Sequence, residues 1–95
     1  MGENKAKWEL RLYVAGMTPS AERALANIQE IAKTHLDDDY NIEVIDLREK
    51  PQLAEGEQIF AVPTLVRKLP EPLRKVVGDL SNTEKVLVGL DIQPG

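Results

Sequence analysis

Residues 85 to 92 read KVLVGLDI, and this stretch carries two conflicting signals on which the fold depends. Four of its apolar residues stand at every second position, which is the period of a half-buried strand: Val86, Val88, Leu90 and Ile92. Just upstream, Ser81 stands three residues before Glu84, the spacing of a capping box at a helix N-terminus. The alternation predicts a strand and the cap predicts a helix, so both interpretations stay open.

The N-terminal half gives one consistent pattern. Residues 8–14 (WELRLYV) predict a strand with one apolar face, and Tyr13 is predicted to lie on the opposite face. Thr18 followed by Pro19 is typical of a helix start, and the apolar residues beyond recur at three- and four-residue spacing. Residues 41–47 (NIEVIDL) predict a second strand. Two strands joined by one helix form a βαβ unit with a parallel pair.

The second half is less uniform. Pro51 is a candidate start for a short helix that Gly56 weakens. Residues 61–80 divide into two runs around Leu69-Pro70-Glu71-Pro72, which predicts a β-hairpin. A helix that begins at Pro72 fits the apolar spacing of Leu73, Val76, Val77 and Leu80 as well. The hairpin interpretation gives an α/β fold of order βαβαββα, which is the thioredoxin arrangement.

Composition bounds the function. The 95 residues predict a single domain over 1–95, with 1–7 flexible and 93–95 a tail. No apolar run approaches the roughly 20 residues of a membrane span, so a cytoplasmic protein is expected. A formal net charge of -4 and the few aromatic residues argue against nucleic acid as a partner. The sequence has no cysteine, which excludes thiol catalysis and disulfides, and the acidic run 37–39 lacks the spacing of a calcium site.

Most of the chain closely resembles the KaiB family, the small clock proteins of the cyanobacterial Kai system. The residues that carry the resemblance are LYVAGMTP (12–19), EVIDL (43–47), KPQLAE (50–55) and VPTLVRKLPEPLRKVVGDLSNTEKVLVGLDI (62–92). Within the last segment, AVPTL (61–65) also looks like the stretch of thioredoxin-like proteins in which Pro63 would be cis. In those proteins the active thiols lie in the loop after the first strand.

The resemblance implies a protein with two folds. The ground state, commonly a homotetramer, would have the order βαββααβ, the rarer monomer would have the thioredoxin-like order, and the N-terminal βαβ unit would be common to both. It also implies that the switched monomer binds the N-terminal ATPase ring of KaiC, and that this complex sequesters KaiA and engages histidine kinases. No enzymatic activity, cofactor or metal is implied.

Five cations are predicted to contact these partners. Arg67, Lys68, Arg74 and Lys75 flank the proline turn, so a hairpin would gather them at one end, and Arg23, Arg67 and Arg74 match basic positions of family partner contacts by resemblance. A merely solvated surface is the competing interpretation.

Five further residues are predicted to govern the switch. In a helix Gly89 costs about 1 kcal/mol and Asp91 opposes the dipole, so both weaken the helical form, and replacing them should favour it. The competing interpretation is that Gly89 is a left-handed helix cap. Isomerisation at Pro63, Pro70 or Pro72 would make the switch slow.

Two departures from the family pattern leave open that the chain is a homologue from outside the cyanobacteria. The chain stops at DIQPG without an acidic extension, and Glu71 interrupts the proline run. In such a host a KaiB-like protein would act with KaiC in stress adaptation. The sequence is also compatible with a cysteine-free thioredoxin-superfamily binding module and with a free-standing relative of the kinase sensor domain.

Overall fold

The computed structural model describes residues 6–93 and shows the predicted order βαβαββα. The elements are β1 (Trp8–Val14), α1 (Pro19–His35), β2 (Tyr40–Asp46), α2 (Gln52–Gly56), β3 (Thr64–Leu69), β4 (Arg74–Val77) and α3 (Thr83–Gly89). The second strand begins and ends one residue earlier than predicted. The parts of the predicted flexible start and tail at 1–5 and 94–95 lie outside the described residues.

The four strands form one mixed sheet in the order β2-β1-β3-β4. β1 and β2 are parallel over their whole length, from Trp8 opposite Tyr40 to Val14 opposite Asp46. β1 pairs antiparallel with β3, and β3 pairs antiparallel with β4. The βαβ prediction is therefore confirmed, and both β2 and β4 are edge strands.

Each face of the sheet carries its own core. On one face, alternate residues of β1 pack with α1 and α3: Leu10, Leu12 and Val14. On the other face Tyr13 is fully buried with Ile45, Ile59 and Val66, beneath α2. The predicted single apolar face was therefore incomplete, because β1 is a central strand that is covered on both sides.

The start of α1 follows its sequence signals. Thr18 is the N-cap, and its Oγ1 accepts a hydrogen bond of 3.1 Å from the backbone N–H of Ala21. Pro19 occupies the first helical turn, as predicted. After the helix, Asp37 and Asp38 have positive φ and lie exposed in a loop, which confirms the loop prediction for the acidic run.

The proline-rich segment is a hairpin. Arg74–Val77 pairs with Thr64–Arg67, so the helix starting at Pro72 is wrong for this fold. The peptide bond before Pro63 is cis, as the resemblance implied, and the bonds before Pro70 and Pro72 are cis as well.

Residues 85–89 are helical, but the cap is not the predicted one. Asn82 is the N-cap, and its Oδ1 accepts from the backbone N–H of Lys85 at 3.1 Å. Ser81 instead donates its backbone N–H to Oδ1 of Asp79 at 3.0 Å. The capping box at Ser81 and Glu84 was therefore wrong by one residue, although the helix it predicted is present.

The end of α3 is a Schellman motif. The N–H of Ile92 donates to the carbonyl of Leu87 at 2.8 Å, and the N–H of Asp91 donates to that of Val88 at 3.1 Å. Asp91 is the left-handed residue of this motif, with φ 55°. An aspartate thus stands where such a motif favours glycine. That Asp91 weakens the helix through the dipole stays a prediction.

Gly89 lies inside α3 and is not the left-handed cap. A Cβ added there would lie 2.6 Å from Cγ2 of Val76 on β4. Helix propensity favours alanine at this position, whereas packing against a short branched side chain opposes it. Replacing Gly89 alone therefore does not have the simple stabilising effect that propensity predicts, and its effect depends on how Val76 can move.

Candidate partner-binding surface

The predicted hairpin cations lie near the turn, but their side chains diverge. Arg74 is exposed, whereas Lys68 and Lys75 are half-buried. Arg67 is only 3% exposed. It is therefore not accessible to a partner in this fold, contrary to the prediction, and three cations remain to form a surface at the hairpin.

Arg23 lies apart from the turn. It is on α1, and its Nε is 3.3 Å from Oδ2 of Asp79 beyond the far end of β4. Its side chain is 59% exposed, so this ion pair leaves it accessible. Hydrogen bonds from Ser81, with a smaller contribution from Arg23, lower the pKa of Asp79. The five predicted cations thus do not form one continuous patch.

Sequence reasoning missed an exposed apolar surface at the other end of the sheet. Tyr13 pairs with Thr64, so the loop after β1 lies beside the loop that enters β3. The N–H of Gly78 donates to the carbonyl of Pro63 at 2.9 Å, which brings the end of β4 to the same place. We call the exposed apolar side chains here the apolar end surface: Met17, Phe60, Val62 and Val77.

Phe60 is the most exposed member of the apolar end surface. Its side chain is 92% exposed, whereas the preceding Ile59 is buried against Tyr13 and Val66. Clusters of exposed large apolar side chains mark interaction sites, and aromatic residues are enriched among those that dominate binding energy. This end of the sheet is the strongest candidate for a partner contact.

The loop after β1 is held by a carboxylate and a guanidinium. Oδ1 of Asp46 accepts from the backbone N–H groups of Gly16 at 3.2 Å and Arg48 at 2.9 Å. The Arg48 side chain also donates to both oxygens of Asp46. A Cβ at Gly16, where φ is 79°, would lie 2.9 Å from Cζ of Arg48. The positive φ therefore favours glycine, whereas the guanidinium is the end of an exposed side chain that can shift.

Acid should weaken this loop. The hydrogen bonds from Arg48 lower the pKa of Asp46 from 3.8 to about 2. A carboxylate with a lowered pKa in the folded state contributes stability that is complete above its unfolded pKa, and loses it as the pH falls through the folded value. In acid titrations followed by circular dichroism, we expect Asp46→Asn to remove part of the stability loss between about pH 4 and pH 2. The control Glu30→Gln on α1 should leave this stability loss unchanged. Equal pH profiles for the two variants would contradict the role assigned to Asp46.

No helix within residues 6–93 is both long and apolar enough to span a bilayer. The KaiB domain model matches residues 11–92, which is most of the chain. The chain belongs to the KaiB family. KaiB clock proteins are non-enzymatic, and the 95 residues include no cysteine to place in the loop where thioredoxins carry their thiols.

Curated relatives agree with this assignment. The circadian clock protein KaiB3 of Synechocystis sp. is 53% identical over 90% of this chain and 83% of its own length. The circadian clock oscillator protein KaiB of Trichodesmium erythraeum is 49% identical over 97% of this chain and 88% of its own. These relatives set this KaiB protein apart from a thioredoxin-superfamily module of another family.

Solved structures show the fold of this KaiB chain. The N-terminal domain of Synechococcus elongatus SasA has a TM-score of 0.75 at 22% identity, over 95% of this chain and 89% of that domain. Mitochondrial thioredoxin 3 of Saccharomyces cerevisiae has a TM-score of 0.71 at 17% identity, over 93% and 80%. The predicted thioredoxin-like arrangement is therefore confirmed.

Proposed function

We propose that this protein is a cytoplasmic timing regulator that binds the N-terminal ATPase ring of KaiC in its thioredoxin-like form. Through that complex it holds KaiA, or engages signalling histidine kinases, where the host has them. The observation that carries the proposal is the thioredoxin-like order in a chain about half identical to KaiB clock proteins. The exposed apolar end surface and the exposed Arg74 support the proposal, because both are accessible to a partner.

The proposal includes a second fold, which would be a tetramer with the order βαββααβ. Two packings of one sequence coexist when their free energies differ by only a few kcal/mol. α3 is well suited to such a balance, because it has only seven residues and a left-handed aspartate follows its C-cap. A partner that binds the helical form better would then raise the population of that form.

Reversing the charge of Arg74 should weaken the complex with the KaiC ring or with KaiA. Arg74 lies directly opposite Arg67 on the neighbouring strand, so Arg74→Glu replaces a repulsive cross-strand pair by an attractive one. The variant should therefore fold at least as well as the natural chain. We expect about tenfold weaker binding, mainly through slower association.

The measurement is biosensor binding of immobilised KaiC from the same host, and of KaiA where present, by purified variants. Lys33→Glu makes the same charge change at an exposed position of α1 and serves as the control. Unchanged affinity of Arg74→Glu for both partners would contradict the assignment of Arg74.

A further inference from the structure

Arg67 ends inside the protein, where its guanidinium joins three parts of the chain. Nη1 donates to the carbonyl oxygen of Leu90 at 2.5 Å, and Nη2 donates to that of Pro72 at 2.6 Å. Cζ lies 5.6 Å from the centre of the Trp8 ring, within the range of a cation–π contact. Leu90 is the C-cap of α3. Its carbonyl is at the negative end of the helix, where a cation is favourable.

Lys75 similarly donates hydrogen bonds to the C-terminal end of α2. Its Nζ donates to the carbonyl oxygens of Glu57 at 2.6 Å and Gln58 at 3.1 Å. Glu57 is the C-cap of α2. Lys68 adds an ion pair of 2.8 Å with the Glu57 carboxylate. The carbonyl groups at the C-terminal ends of α2 and α3 thus both accept hydrogen bonds from cations of the hairpin.

The two contacts lie on opposite faces of the sheet. Lys75 is paired with Val66, whose side chain belongs to the core beneath α2. Arg67 is the next residue of β3, and successive side chains of a strand point to opposite faces. The hairpin therefore contacts the end of one helix on each face, α3 through Arg67 and α2 through Lys75 with Lys68.

We propose that Arg67 and Lys75 are conformational latches, which tie α3 and α2 to the hairpin and so set how long the thioredoxin-like arrangement persists. The proposed link to switching rests on the second fold described under the proposed function. In that fold the chain after β2 would have a different order of elements, so the two helix ends would not be presented to these cations together. The assignment replaces partner contact as the main role of both residues.

The Arg67 latch carries a cost that keeps it from being permanent. Its buried Nε has no hydrogen-bond partner among the described residues. Burial, and then repulsion by Arg74, lower the pKa of Arg67, while Asp91 opposes this shift. The cost of burying the charge offsets part of the stability that the hydrogen bonds of Arg67 contribute.

Native-state hydrogen exchange of the full chain tests the Arg67 latch without any partner. In Arg67→Met, the amides of Leu90 and Ile92, which close the end of α3, should exchange about tenfold faster or more, as expected for loss of a charge-assisted hydrogen bond. The β2 amides, on the edge strand that does not neighbour β3, should keep their rates. Arg74→Met is the matched control, because it removes an exposed cation from the opposite position, and it should not accelerate α3.

Lys75→Met should accelerate the amides of Glu57 and Ile59 at the end of α2 by a similar factor, with Lys50→Met as an exposed control. Should Arg67→Met not fold, Arg67→Lys retains a charge without the planar fork, and its smaller acceleration should still be confined to α3. Equal acceleration of β2 and the helix ends, or unchanged rates at both helix ends, would overturn the proposal. KaiC binding takes no part in the measurement, so this failure is distinct from failure of the proposed function.

Discussion

Leu90→Ala is expected to destabilise the thioredoxin-like fold by about 2–5 kcal/mol, the usual cost of removing a fully buried leucine side chain. Leu90 is 0% exposed and packs in the core that α3 shares with β1 and α1. It follows the last turn of α3, so the loss reflects packing more than helix propensity. The free energy of unfolding, from urea titrations followed by circular dichroism, measures it.

Val88→Ala is the control that makes this result specific to the fold. Val88 is 81% exposed on α3, so its replacement should change the stability by less than about 0.5 kcal/mol. If residues 85–92 formed a strand, Val88 and Leu90 would lie on the same face and would respond alike. Similar losses for both variants would therefore show that the strand form predominates in solution.

The sequence predicted the first half of the fold well because its signals agree with one another. Thr18 and Pro19 mark a helix start, and the strands on either side have the period of strands. The burial of Tyr13 was missed because a central strand is covered on both faces, and position in the sheet is not a local property. Local sequence patterns predict that a helix or strand is present more readily than they predict which elements pack against it.

The second half was ambiguous because its local signals conflict. The alternation of residues 86–92 is that of a strand, yet Asn82 caps a helix and the Schellman motif closes it. Tertiary packing decides between these signals, since Val86, Leu87 and Leu90 enter the core and Val88 does not. A helical set of buried positions and an alternating sequence can coexist over so short a segment.

The candidate site was predicted only in part, because charge does not reveal where a side chain ends. Arg67 and Arg74 have similar sequence surroundings, yet the sheet directs the first into the core and leaves the second exposed. Phe60 follows Ile59 directly, and only the packing of α2 shows which of the two is buried. Sequence patterns thus placed the cations near the turn but could not separate the buried Arg67 from the exposed Arg74.

Phe60→Ala should weaken binding to the KaiC ring by about 30-fold or more, the effect of truncating an aromatic residue that dominates an interface. Because the side chain is 92% exposed, the free energy of unfolding should stay within about 0.5 kcal/mol of that of the natural chain. Affinity for immobilised KaiC and urea unfolding, measured on the same preparation, separate the two effects.

Two controls give the result its meaning. Val88→Ala truncates another strongly exposed apolar side chain, on α3 and outside the apolar end surface, and should leave the affinity unchanged. Ile59→Ala should lower stability, because Ile59 packs against Tyr13 and Val66. An affinity of Phe60→Ala equal to that of Val88→Ala would remove the apolar end surface from the KaiC contact. Among the described residues, the exposed Arg23 and Arg74 would then be the next candidates for the contact.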